Sequence, residues 1–165
     1  MIEEKIKEKI EGCRQQIIDT LCELVAIPTV NPPGKSYRQC VDYLSKKLKS
    51  WEFEHRLITV PDRDYPRFSI IGFHGQGERS LLFHGHYDVV PEFTPEQFSP
   101  RLQGDCLYGR GSSDMKGGLV AMLFALLAVK VCGLKLKGRI TFSLVPDEES
   151  GGRLGTQHLI ESGFL

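Results

Sequence analysis

The sequence predicts an α/β fold, a three-layer arrangement with helices on both faces of a mostly parallel sheet that also carries some antiparallel strands. Three observations carry this expectation. Helix-period and strand-like stretches alternate along the chain. The stretch from Gly117 to Val131 is apolar all round, which suits a buried helix. The stretch from Arg139 to Val145 reads as a strand apolar on both faces, as in a sheet covered from both sides.

In order, Ile6, Ile10, Cys13, Ile17, Leu21 and Leu24 recur at three- and four-residue steps and predict one amphipathic helix ending before Pro28. Asn31-Pro32-Pro33-Gly34 reads as a turn or loop. Tyr37, Val41, Leu44 and Leu48 predict a second helix, Ser36 to Ser50. Glu54 to Thr59 reads as a short strand. Phe68 to Phe73 and Ser80 to Val90 are strand-like, and the short Gly-containing gap between them suits a hairpin. Residues Pro91 to Asp105 turn to Pro, Glu, Gln and Ser and read as a surface loop, followed by a short extended piece at Leu107 to Gly111. A last helix begins over Gly155 to Glu161.

Composition narrows the function classes. The 165 residues suffice for one domain with a substantial core. Lys plus Arg equals Asp plus Glu at 21 each, so no net charge favours nucleic acid or an anionic membrane. The longest apolar run, Leu119 to Val129, is too short to span a bilayer. The five cysteines are odd in number and lack a two-residue gap, which argues against a disulfide framework. With no signal peptide legible in Met-Ile-Glu-Glu-Lys, the expected location is the cytoplasm.

Three clusters sit where strands run out into loops, the place where open α/β sheets bind ligands. In His84-Gly85-His86-Tyr87-Asp88, alternate side chains share a face, and a carboxylate two residues from a histidine can fix its tautomer for metal binding. The same residues also read as polar groups satisfied at a strand end. Gly109-Arg110-Gly111-Ser112-Ser113-Asp114-Met115-Lys116-Gly117-Gly118 admits three readings: a phosphate cradle, a helix N-cap, or Asp114 as a metal ligand. Neither the Walker spacing nor G-x-G-x-x-G is present, which weakens the first. Asp147-Glu148-Glu149 follows the Arg139 strand directly; it reads as a solvated acidic loop, or as carboxylates that need a shared cation. Taken together, His, Asp and Glu at three strand ends make an oxygen-rich site with one nitrogen donor, suited to Zn²⁺, Co²⁺ or Mn²⁺.

HGHYDVVP at 84–91, GRGSSDMKGG at 109–118 and PDEESGG at 146–152 resemble the signature of the zinc-dependent acetylornithine deacetylase, succinyl-diaminopimelate desuccinylase, aminoacylase and carboxypeptidase family. Asn31-Pro32-Pro33-Gly34 is similar to an early loop of that family. The resemblance implies a zinc-exopeptidase-like fold and two divalent metal ions. His86 would bind one metal, Glu149 the other, and Asp114 would bridge both, with a cis peptide to Met115. Asp88 would orient His86, and Glu148 would serve as general base and acid. His84 matches the motif but is not a ligand in the family pattern. The implied reaction is hydrolysis of a linear amide in a small N-acyl amino acid or peptide.

The departure from the family is length. The resemblance implies a further carboxylate ligand, a histidine ligand and a lid or dimerisation domain, none of which falls within residues 1–165. The expectation is that 1–165 form the N-terminal part of a catalytic domain whose full-length form is a homodimer. Alone, this part is expected to be inactive, with an incomplete sheet that self-associates. The competing expectation is a non-catalytic remnant that acts only as a folded or self-associating module.

Overall fold

The structure, a computed structural model, describes residues 1–61 and 63–165. Helices α1 (Ile2–Gly12), α2 (Arg14–Val25) and α3 (Tyr37–Ser50) come first. Strands β1 (His55–Val60), β2 (Arg67–Gly75) and β3 (Ser80–His86) follow, then the short strands β4 (Arg101–Gln103) and β5 (Cys106–Tyr108). The buried helix α4 (Gly117–Val131), strand β6 (Arg139–Val145) and the short helix α5 (His158–Glu161) complete the chain.

The apolar stripe expected on one helix is carried by two. The break falls at Gly12–Cys13, where Cys13 leaves helical geometry at φ −97° and ψ 3°. Gly12 is a weak helix former at that point. The stripe keeps facing the core across the break: Cys13 and Leu24 are buried, and Ile10, Ile17 and Leu21 pack against the core.

The main sheet runs β1-β2-β6-β3. β1 pairs antiparallel with β2, β2 antiparallel with β6, and β3 parallel with β6. Two expectations are corrected here. The sheet is mixed, with one parallel pairing rather than a parallel majority. β2 and β3 do not form a hairpin, because β6 inserts between them. The reason lies in β6 itself: Ile140, Phe142, Ser143, Leu144 and Val145 are buried, and such a strand needs neighbours on both edges to satisfy its backbone. The 76–79 connection then crosses the strand end, where Arg139 N–H donates to the Arg79 carbonyl at 2.8 Å.

One face of the sheet holds the core. Ile70, Ile140, Phe142 and Leu144 pack there with Tyr37, Val41, Leu44 and Leu48 of α3 and with Leu119, Leu123 and Phe124 of α4. The opposite face carries the segment after β6: His84 Nε2 meets Thr156 Oγ1 at 3.0 Å, and Phe164 lines one hollow with Ile71 and Phe73. That cover is partial, leaving Phe73 half exposed. β3 forms a sheet edge, with Leu81 and Leu82 exposed on it. Among the described residues no helix is long and apolar enough to cross a membrane.

The parallel β3–β6 pairing positions the site. His86 lies opposite Val145, so both strands deliver their following loops, 87–91 and 146–152, to the same end of the sheet. The loop before α4 reaches that end because α4 packs under β3. Gly85 permits this approach: a Cβ there would stand 2.8 Å from Leu119 Cδ2 and 2.9 Å from Met115 Cε.

Candidate metal centre

His86 is buried at the last position of β3. Its backbone N–H donates to Met115 Sδ at 3.3 Å, which ties the strand end to the loop before α4. Its Nδ1 faces Asp88, 3.1 Å from the backbone carbonyl and 3.3 Å from Oδ1. Nε2 faces outward, 3.2 Å from Asp114 Oδ1 and 3.6 Å from Glu148 Oε2. His86, Asp114 and Glu149 each offer a ligand atom, all within 4.8 Å of one another.

Asp114 sits in the turn 112–116, entered through Gly111 at φ 80°, where its own backbone leaves helical geometry at φ −123° and ψ 104°. A side chain at Gly111 would collide with Val89 Cγ1 at 2.5 Å, so the turn depends on glycine for conformation and space. The Asp114–Met115 peptide is cis. Lys116 closes the turn from below. Its fully buried ammonium donates to the Leu24 carbonyl at 2.9 Å and the Ile27 carbonyl at 2.7 Å, capping the end of α2. The N-cap reading of this segment fails: neither Ser113 nor Asp114 caps α4 with its side chain.

Glu148 and Glu149 lie in one short turn after Asp147, which adopts a left-handed φ of 73°. Asp88 organises this turn from beneath. Its Oδ1 accepts the Glu148 N–H at 3.2 Å and its Oδ2 accepts the Glu149 N–H at 3.1 Å. One buried carboxylate therefore orients the imidazole on one side and the two glutamates on the other.

The electrostatics fit a cation at this point. Burial alone would depress the His86 pKa, but the hydrogen bond and charge of Asp88, the charge of Glu148 and the hydrogen bond to Asp114 outweigh it and raise the value to about 9. Glu149 is shifted upward, by burial first and then by the charges of Asp114, Asp88 and Glu148, with His86 opposing. Burial would raise Asp88, yet the His86 and Asn31 hydrogen bonds and the Glu149 N–H hold it low and ionised. One imidazole nitrogen with two carboxylates is a donor set for a borderline or hard divalent cation. Exposed carboxylates at Asp114 and Glu148 leave the site open to solvent.

The structure brings His86, Asp88, Asp114, Glu148 and Glu149 together around one point. His84 is set apart, its Nδ1 engaged by Ser143 Oγ at 2.6 Å and its Nε2 by Thr156 Oγ1. The sequence reading did not single out Asn31, Arg67, Lys116 or Asp147 as contributors. Asn31, Lys116 and Asp147 carried a signal, since all three stood inside motifs already noted. Arg67 carried none, and reaches Asp147 at 3.7 Å only through the fold. A cleft of about 270 Å³ adjoins the site, lined by Val90, Gly109–Ser113, Asp114 and Glu149. A larger hollow of about 820 Å³ lies on the partly covered sheet face, around Phe73, Arg139 and Phe164, and contains none of these residues.

Comparison with known proteins follows the same lines. The model of peptidase family M20/M25/M40 matches residues 82–165. The chain is 34% identical over 144 residues to succinyl-diaminopimelate desuccinylase of Buchnera aphidicola, covering 84% of this chain and 36% of that protein. It is 27% identical over 167 residues to N-formyl-4-amino-5-aminomethyl-2-methylpyrimidine deformylase of Halalkalibacterium halodurans, covering 98% and 39%. In structure it resembles human carnosine dipeptidase 1, with a TM-score of 0.82 at 23% identity over 98% of this chain and 38% of that one. A family M20 metallo-carboxypeptidase from Sulfolobus solfataricus gives a TM-score of 0.72 at 25% identity, covering 88% and 34%. The chain thus spans well under half the length of the relatives it matches.

Proposed function

The chain belongs to peptidase family M20/M25/M40, and from that premise we propose that it carries the N-terminal part of a metal-dependent amidohydrolase site acting on small N-acyl amino acids or peptides. The observation that supports this reading most is the convergence of His86, Asp114 and Glu149, with Glu148 beside them and Asp88 behind.

In this reading His86 and Asp114 would hold one divalent metal, and Asp114 and Glu149 would hold the other. Zinc is the first choice, with cobalt or manganese as substitutes. Bound metal would polarise the scissile carbonyl and make water more acidic. Asp88 keeps His86 presented through Nε2 by engaging Nδ1. Glu148 is the group free to take the proton from water and hand it to the leaving amine. It stands 3.6 Å from His86 Nε2 and is half exposed, so it reaches the reacting face without being fixed beneath it. The products are a carboxylate and an amine.

On this assignment each metal would have two protein ligands from residues 1–165, one short of the three usual in catalytic zinc sites. The resemblance implies that a further carboxylate and a histidine complete the set, in a full-length homodimer. The five free cysteines suit a reducing compartment, so the cytoplasm is the proposed location.

The test is metal binding and hydrolysis by the chain and two variants. Zinc or cobalt should bind and be stripped by chelator. Glu149→Ala should lose metal, whereas Glu148→Ala should retain it. N-succinyl and N-acetyl amino acids and dipeptides are the substrates to assay, with turnover by residues 1–165 alone expected to fall far below ordinary enzyme rates. Equal loss of metal in both variants would contradict the ligand assignment.

A further inference from the structure

We propose that Asn31 is a positioning residue for this site: its side-chain amide clamps Asp88 to Asp147 and so holds the histidine side and the glutamate side in register. Its functional meaning rests on the metal-site reading above, but the clamp itself is a property of the chain.

The two carboxylates that Asn31 joins are buried, Asp88 fully and Asp147 at 5% exposure. Asn31 Nδ2 lies 2.9 Å from Asp88 Oδ2 and 3.5 Å from Asp147 Oδ1. Two carboxylates enclosed on one amide repel when both are charged. An amide –NH₂ offers a neutral donor to each, which an aliphatic residue cannot do. The orientation is fixed by these neighbours, because the flipped amide would set its oxygen against both carboxylates. Asn31 Oδ1 itself has no partner among the described residues. An enclosed amide with its acceptor unpaired and its donor placed between two acids indicates a position held for the donor.

The clamp is anchored at each end. The Asn31 backbone N–H donates to the Val89 carbonyl at 2.9 Å, and the Val89 N–H donates to Thr29 at 2.9 Å, so residues 29–31 run parallel to 87–89. Asp147 Oδ2 accepts the Leu154 N–H at 3.0 Å, and Arg67 approaches Oδ1 at 3.7 Å. Asp88, already bound to Asn31, then accepts both glutamate amides. Removing the amide frees Asp88 to turn away from those amides and leaves the Asp147 side chain, among the described residues, to Arg67 and Leu154. The Glu148–Glu149 turn would lose its register against His86 while the sheet below stays intact.

The test is hydrogen exchange by NMR on the metal-free chain, comparing wild type with Asn31→Leu and Asn31→Ser. The serine variant is smaller and keeps the comparison open where the leucine variant fails to fold. The expected result is exchange at least tenfold faster at the Glu148 and Glu149 amides, with the Phe142 and Leu144 amides of β6 unchanged. Unchanged exchange at Glu148 and Glu149 would overturn the proposal. Acceleration of the turn and of β6 together would overturn it too, by showing a general loss of stability. A zinc titration of the same proteins separates the two readings. Weakening by tenfold or more in Asn31→Ser supports the clamp acting on the site. Wild-type chain that binds no zinc counts against the metal reading, and the exchange data still decide the clamp.

Discussion

Raising the pH of the metal-free chain from 7 to 8 should destabilise it, and His86 sets the size of the effect. Its folded pKa of about 9 stands above the ordinary 6.5. A group raised on folding stabilises fully below its unfolded value and loses that contribution as pH climbs through the folded one. Between pH 7 and 8 the folded chain therefore holds nearly one more proton than the unfolded chain. That corresponds to about 1.2 kcal/mol lost across the interval. Lys116 opposes this. Burial lowers it from 10.5 to about 8, so its deprotonation begins to restore stability near the top of the interval, by about 0.3 kcal/mol. Two of the partners that raise His86, Asp114 and Glu148, are solvent-exposed, and screening trims their share. The net expectation is a loss of about 0.5–1 kcal/mol. His84 and His74 are shifted below 6.5 and so act mainly at lower pH, which leaves His86 as the largest contributor in this interval. Urea unfolding in EDTA at pH 7.0, 7.5 and 8.0 measures it. Asp88→Asn, which removes the charge behind Nδ1, should flatten most of the slope. Stability that holds or rises from pH 7 to 8 in the wild type, or an undiminished slope in Asp88→Asn, would refute the reasoning.

Other perturbations separate structural from chemical roles. Lys116→Met leaves the Leu24 and Ile27 carbonyls without their donor and should cost about 1–3 kcal/mol in thermal or urea unfolding. Gly85→Ala places a methyl within 3 Å of Leu119 and Met115, so it should destabilise by about 1–3 kcal/mol and also weaken zinc binding, measured by chelator competition, because Met115 adjoins Asp114. Glu148→Ala and Glu149→Ala should part company in metal content by atomic absorption, the first close to wild type and the second depleted.

Much of the fold was legible where one residue pattern admits one structure. The apolar stretch 117–131 could only be an interior helix, and Arg139–Val145 was bounded by Gly138 and Pro146, so both elements fall where expected. Strand partnership was not legible. The order β2-β6-β3 depends on a strand more than fifty residues beyond β3, and a short gap between two strands does not force them to pair. The break at Cys13 was hidden because the apolar period continues through it. At the site, the His, Asp and Glu clusters stood out from the residues, and the family resemblance picked His86, Asp114 and Glu149 from among them. The partners that hold them did not stand out. Lys116 stood in the 109–118 motif with no role assigned until the fold carried it beneath α2, and Arg67 meets Asp147 across eighty residues.

The central claim is that His86, Asp114 and Glu149 form a divalent-metal site. Anomalous scattering at the zinc edge, from crystals of the chain grown or soaked with zinc, tests it most directly. Anomalous density is expected within bonding distance of His86 Nε2 and of the Asp114 and Glu149 carboxylates, with loss of the Glu149-side density in Glu149→Ala. Zinc found only at other residues, or density at this point that survives unchanged in that variant, would contradict it.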